Sequence, residues 1–270
     1  MATEAAAYAR RRRVELVGDS PQAIESGCVQ AKSTRTDPVT IVDTDTERFV
    51  RDRLAQLRPG ESILGEEGGG PDAGVDGGVC WVVDPIDGTV NFVYGIPVYA
   101  VSIAAQVAGS SIAGAVVNVL TGEMYSAAVG LGAEAVTGGA RRTLNCSDVD
   151  ELSMALVSTG FGYAPQRRAA QAALLARMLP LFRDVRRIGS ASLDLCMVAA
   201  GQLDAHYEHG LNVWDWAAGA LIAVEAGAVV VLPEAGAPTD EAALVVVSAP
   251  GIATELIGAL EDCGGLRTLP

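Results

Sequence analysis

Trp81-Val82-Val83-Asp84-Pro85-Ile86-Asp87-Gly88-Thr89-Val90-Asn91-Phe92 reads as a buried strand that ends in acid. With Cys80 before it, the apolar run to Val83 is a short core strand delivering Asp84 to its C-terminal end. Pro85 holds Asp84 extended and sets up a turn with proline in second place. Such a turn brings the Cα atoms of Asp84 and Asp87 within about 7 Å. Two carboxylates that close repel unless one is protonated or a cation lies between them. With the Ile86 carbonyl in the same turn, the donors are all oxygen, which suits Mg²⁺. Gly88 and Thr89 then open a helical turn whose free N–H groups suit a phosphate oxygen. Alone, an Asp-x-x-Asp-Gly motif is a turn and a helix cap, so the rest of the chain decides.

Upstream, Val39 to Val42 reads as a strand, Thr44 to Leu57 as a helix and Ser62 to Leu64 as a strand leading into Gly65-Glu66-Glu67. Downstream, Tyr99 to Val107 and Ser111 to Val119 are strands about the turn at Gly109, and Glu123 to Ala128 and Ala133 to Val136 extend the sheet. The polar stretch Arg141 to Glu151 marks the boundary between an N-terminal α+β half (1–143) and a C-terminal α/β half (144–270). In the second half, strands from Ala155, Arg186, Leu203, Ala228 and Ala243 alternate with helices over Arg167–Leu181, Ser190–Ala200, Trp216–Ala226 and Ile252–Leu260. The expected architecture is layered, α+β passing into α/β. The first thirty residues show only a weak helical pattern, interrupted by Gly18 and Pro21, with Arg10 to Arg13 as a solvated helix face.

The chain has 270 residues, half of them apolar, enough for a sizeable core. A net charge of −14 argues against a nucleic-acid surface and requires a metal or basic pocket wherever phosphate binds. The five cysteines (Cys28, Cys80, Cys146, Cys196, Cys263) never pair as C-x-x-C, which points to reduced thiols in a cytoplasmic protein. No apolar run reaches the roughly 18 residues of a membrane span. Lys32 is the single lysine among 19 basic residues, which is either chance or a place where a compact ammonium is wanted.

The run from Asp84 to Phe92 resembles the first signature of the inositol monophosphatase family. Trp214-Asp215-Trp216-Ala217-Ala218-Gly219 with Glu225-Ala226-Gly227 is similar to the second. Gly65-Glu66-Glu67, Lys32 with Asp37 to Asp43, and Gly189-Ser190-Ala191 agree further, in the family's order across about residues 30 to 232. The resemblance implies an alternating α-β-α-β-α sandwich and Mg²⁺-dependent hydrolysis of a small phosphomonoester, inositol monophosphate first. It implies one Mg²⁺ on Glu66, Asp84 and the Ile86 carbonyl, a second on Asp84, Asp87 and Asp215, and a weaker third at Glu66 through water. Thr89 with Asp43 would orient and deprotonate the attacking water, Glu66 assisting. Gly88 and Thr89 would bind phosphate, while Ser190, Ala191, Glu208 and Asp215 would meet a polyol, with Lys32 beside the metals. Lithium sensitivity and a homodimer are implied as well.

Asp215 alone reads as a helix N-cap and Glu208 as a loop acid. Departures are Ala228 where the family has glycine and the Gly/Asp-rich loop from Gly68 to Gly78. A haloacid-dehalogenase phosphatase needs an acid two residues after its nucleophile, and here the gap is three. Fructose-1,6-bisphosphatase, histidinol phosphatase and 3′-phosphoadenosine-5′-phosphate phosphatase share the resemblance and differ around Ser190, Ala191 and Glu208. A catalytically idle binding module has no need of six convergent polar groups.

Overall fold

The computed structural model describes residues 1–17, 29–32, 38–71, 77–233 and 244–269. Cys28, Gly18, Pro21, Asp37 and the middle of the 68–78 loop lie outside the described residues. In chain order the first half carries helix α1 (Ala2–Val17), strands β1 (Val29–Ala31) and β2 (Pro38–Thr40), helix α2 (Ile41–Leu57), β3 (Ser62–Gly65) and β4 (Val79–Asp87). A short α3 (Thr89–Tyr94) follows, then β5 (Ala100–Val107), β6 (Ser110–Asn118), β7 (Met124–Ala128), β8 (Ala133–Thr137) and β9 (Ala140–Thr143). The second half runs β10 (Leu156–Thr159), α4 (Pro165–Met178), β11 (Asp184–Arg186), α5 (Ala191–Ala199) and β12 (Ala205–His209). It ends with α6 (Val213–Glu225), β13 (Val229–Val231), β14 (Leu244–Ser248) and α7 (Ala253–Asp262).

Strands β3 to β9 form a seven-stranded sheet in sequence order, parallel only between β3 and β4. The second sheet has the order β11-β10-β12-β14-β13, with β10 parallel to both neighbours and the rest antiparallel. Helices α1 and α2 bury an apolar cluster against one face of the large sheet. Helices α5 and α6 lie between the two sheets in a cluster that spans both. Helices α4 and α7 cover the outer face of the small sheet. This is the alternating sandwich expected from the sequence.

Several local expectations change, each for a physical reason. The strand ends at Thr40 and the helix begins at Ile41, because Thr40 accepts from Val42 N while Asp43 reaches back to Thr40 N in a capping box. Asp43 therefore sits in the first turn of α2 rather than beyond a strand. At Pro85 the chain does not turn: β4 continues to Asp87 with a bulge, since Asp84 pairs with Ser102 and Asp87 with Ala100. One extra residue shifts the two-residue alternation by one, so acids three apart share a face. The alanine-rich start is a 16-residue helix whose small stripe, Ala2, Ala5, Ala6 and Ala9, packs close to the sheet. Its Arg13 is buried, donating to the Phe92 carbonyl at 3.2 Å, so the basic cluster is not wholly solvated. The polar stretch at Arg141 begins with the exposed edge strand β9.

Candidate active site

The bulge in β4, the first turn of α6 and the loop after β3 line one cleft of about 600 Å³, and the first turn of α2 stands behind it through the contact of Asp43 with Thr89. Carboxylate oxygens of Asp84, Asp87 and Asp215 all lie within 4.8 Å of one another. Burial raises the Asp84 and Asp215 carboxyls well above their usual range, and the neighbouring acids, Glu66 first, raise them further. Glu66 is raised by burial and shares a hydrogen bond with Asp84, while Lys32 pulls it back. Lys32 Nζ donates to Glu66 Oε1 at 2.8 Å and also to Glu67. Burial opposes the ammonium charge, but the two glutamates outweigh it and the net shift is upward.

Asp215 is the third residue of α6, not its cap. Asn212 takes the cap position, and Asn212 N donates to Asp215 Oδ2 at 2.7 Å in a second capping box. Asp43 holds the equivalent place in α2. Its Oδ2 accepts from Thr40 N at 3.0 Å, and its Oδ1 accepts from the Thr89 hydroxyl at 3.0 Å. Each acid thus spends one oxygen on the helix end, and the other is presented to the cleft by Asp215 and to the Thr89 hydroxyl by Asp43. Burial, with a smaller push from Glu66 and Glu67, takes Asp43 up to about 7 against the pull of the Thr40 and Thr89 hydrogen bonds. The Ile86 carbonyl lies 3.0 Å from the Thr89 hydroxyl.

Asp87 faces the start of α5, where Ser190 Oγ donates at 2.6 Å, Ser192 N at 2.7 Å and Ala191 N at 3.3 Å. Burial raises this acid, and the serine hydrogen bonds restrain the rise. Ser190 and Ala191 therefore touch Asp87 as well as lining the cleft. Gly88 has φ of 92°, and a Cβ there would stand 2.9 Å from the Gly189 carbonyl oxygen, so only glycine fits. Glu208 stands in the same cleft, taken up to about 7 by burial while Arg187 opposes the shift.

Sequence reasoning missed Ser192, whose N–H and hydroxyl both hold Asp87, though a serine just inside a helix start is a readable signal. It missed Thr40 and Asn212 as the caps that aim Asp43 and Asp215. It missed Glu47, whose carboxylate accepts from Glu67 N at 2.7 Å and Gly68 N at 2.8 Å and so fixes the Glu66 loop. That last contact spans twenty residues and leaves no local pattern.

The inositol monophosphatase family model matches residues 2–264. An inositol-1-monophosphatase of Mycobacterium leprae is 65% identical over 272 residues, covering 100% of this chain and 94% of the relative. The solved structure of Mycobacterium tuberculosis SuhB superposes with a TM-score of 0.82 at 56% identity, covering 98% of this chain and 94% of that one. At 40% identity, over 82% of each chain, stands the Nus factor SuhB of Pseudomonas aeruginosa. With that match across nearly its whole length and the acids of both signatures gathered in one cleft, the chain belongs to the inositol monophosphatase family, whose members are phosphoric monoester hydrolases.

Proposed function

We propose that this hydrolase converts inositol monophosphate to inositol and phosphate with Mg²⁺ held by Glu66, Asp84, Asp87, Asp215 and the Ile86 carbonyl. The observation that carries the reading is the buried triad Asp84, Asp87 and Asp215, with oxygens within 4.8 Å of one another. These acids cannot all ionise side by side without added positive charge, and Lys32 bonds to Glu66 and Glu67 rather than to the triad. Oxygen-only donors fit a small hard cation, two ions at full occupancy with a weaker third near Glu66. Bound there, Mg²⁺ supplies charge neutralisation for the phosphoryl oxygens and acidifies water.

The chain's own groups do the rest. As the Thr89 oxygen takes a proton from the attacking water, its own proton passes to Asp43 Oδ1, and the carboxylate ends neutral. An acid near 7 suits that task, because it is ionised yet basic at neutral pH. The Gly88 and Thr89 N–H groups open α3 toward a phosphate oxygen. Glu208 accepts from ring hydroxyls, and Ser190 and Ala191 shape the wall.

The test is phosphate release with Mg²⁺ from inositol 1-phosphate, fructose 1,6-bisphosphate, histidinol phosphate and 3′-phosphoadenosine 5′-phosphate. Inositol 1-phosphate should give the highest kcat/KM. A higher value for another ester would reassign the substrate, and no release from any would leave an idle binding module. Lithium should inhibit. No helix among the described residues is long and apolar enough to cross a membrane. Exposed Tyr94, Ile96 and Leu120, with Pro97 and Asn118 in contact between them, offer an apolar patch for a homodimer. Sedimentation at the monomer mass would exclude it.

A further inference from the structure

The face of β12 turned toward α5 is polar where a sheet packed under a helix ordinarily presents apolar side chains. Tyr207 joins the outer apolar cluster, so the two-residue alternation puts His206 and Glu208 on the inner face. His206 is completely buried, as is Ser158, the residue beside it on β10. His206 Nδ1 lies 2.9 Å from Ser158 Oγ. Its Nε2 has no hydrogen-bond partner and faces Glu208 Oε2 at 3.6 Å. Asp194 of α5 closes the group, its buried carboxyl near enough to Ser158 for the hydroxyl to restrain the rise that burial imposes. On the other side of Glu208, a Cβ at Gly160 would fall 1.9–2.2 Å from the carboxyl atoms, so the carboxyl rests directly on that glycine. Burying an imidazole and two carboxyls costs several kcal/mol unless they are paired, and core packing gives no reason for it.

Burial raises Asp194 well above its usual range, so its carboxyl can donate to Ser158 as well as accept, and Ser158 and His206 Nδ1 can take either role across their 2.9 Å contact. Burial holds His206 neutral, with its pKa down at about 3, so the ring meets Glu208 without a full positive charge. Glu208 Oε2 is the oxygen turned toward the ring, which leaves Oε1 for the cleft. Arg187, Asp87, Asp194 and Asp215 are the titratable groups that act on Glu208 from neighbouring segments.

We infer that His206, backed by Ser158 and opposed by Gly160, is a positioning residue that aims the Glu208 carboxyl at a ligand hydroxyl and so selects hydroxyl-rich phosphate esters. The inference rests on the proposed polyol contact of Glu208, and the experiment separates the two. The readout is the ratio of kcat/KM for inositol 1-phosphate to that for an aryl phosphate without hydroxyls. Losing one hydrogen bond to a buried carboxyl should lower that ratio about 10- to 100-fold in His206→Phe and in Gly160→Ala, mainly through KM. Gly160→Ala needs no unusual backbone, so it serves where His206→Phe folds poorly. Neither change should lower the ratio further in a Glu208→Gln background. Equal losses on both esters, or a further multiplicative loss in that background, overturn the inference. A selective Glu208→Gln beside unselective His206→Phe and Gly160→Ala overturns the inference alone. An unchanged ratio in Glu208→Gln removes the polyol contact and the inference with it. Because the chain has two histidines, ¹⁵N-histidine NMR with His206→Phe as the assignment reference reads the tautomer. A neutral ring throughout pH 5 to 8 is expected in either tautomer, and a doubly protonated ring in that range overturns the buried contact on which the inference stands.

Discussion

At the residue scale, Asp43 and Asp215 each do two jobs with one carboxylate. One oxygen closes a capping box, so the rotamer is locked before any ligand arrives, and the other serves the site, directly in Asp215 and through Thr89 in Asp43. Asp43→Asn keeps the shape and removes the charge behind Thr89, so folding should stay near normal while kcat falls by roughly 10²–10⁴-fold. Thr89→Ala should cost about as much, and the double variant little more, because the two groups act as a unit. Steady-state kinetics of the four proteins checks this; multiplying losses would mean that the pair does not work together. Asp87→Asn should lower turnover by orders of magnitude with a normal circular dichroism spectrum, and a wild-type rate would remove Asp87 from the metal site.

At the element scale, the site depends on where two helices begin and where one strand bulges. Thr40→Ala and Asn212→Ala each remove a cap worth about 1 kcal/mol, a fall in Tm of roughly 2–4 °C. In Thr40→Ala activity should fall further than that loss of stability explains, since the Thr40 hydroxyl also donates to Asp43 Oδ2, whereas Asn212→Ala keeps the backbone N–H that holds Asp215; calorimetry beside kinetics separates the two effects. Helix α6 reaches Asp215 into the cleft while lying against β6, where a Cβ on Gly114 would stand 2.9 Å from Ala218 Cα. Gly114→Val should therefore overpack this contact at a cost of about 1–3 kcal/mol and displace Asp215. Unchanged Tm and Mg²⁺ affinity would show that α6 has room to spare. The wrong expectations for Thr40, Pro85 and Asp215 came from boundaries, where a side-chain hydrogen bond or one added residue outweighs local propensity.

At the scale of the whole molecule, a chain of net charge −14 gathers buried acids at the junction of its layers. The carboxyls of Asp43, Asp84, Asp87, Asp215 and Glu66 are all raised above their unfolded values. The folded state then holds more protons than the unfolded one, so stability falls as pH rises from about 4 upward through the raised values, near 7 for Asp43. His206, kept neutral by burial, acts in the opposite sense below about 6.5. Comparing Tm with and without Mg²⁺ at each pH cancels that contribution. The gain should be larger at pH 8 than at pH 5, reaching about 2.7 kcal/mol at a hundredfold excess over Kd. A larger gain at pH 5 would contradict a cation site built from these acids.

The sequence by itself determined the layered α/β class, the strand that delivers Asp84, and the identity of the acids and of Thr89. Those features are written in short-range signals: apolar runs, a proline and glycine at fixed offsets, two acidic signatures. Only the tertiary structure decided that Asp84 and Asp87 share a face through a bulge and that Asp43 and Asp215 are aimed from inside helices. It alone showed Ser192 and Glu47 bracing the site, and Ser158 and His206 standing behind Glu208. The bonds of Glu47 to Glu67, Ser158 to His206 and Ser192 to Asp87 span 20, 48 and 105 positions, and their energies depend on burial and on competing partners, neither of which exists until the sheets and helices have packed.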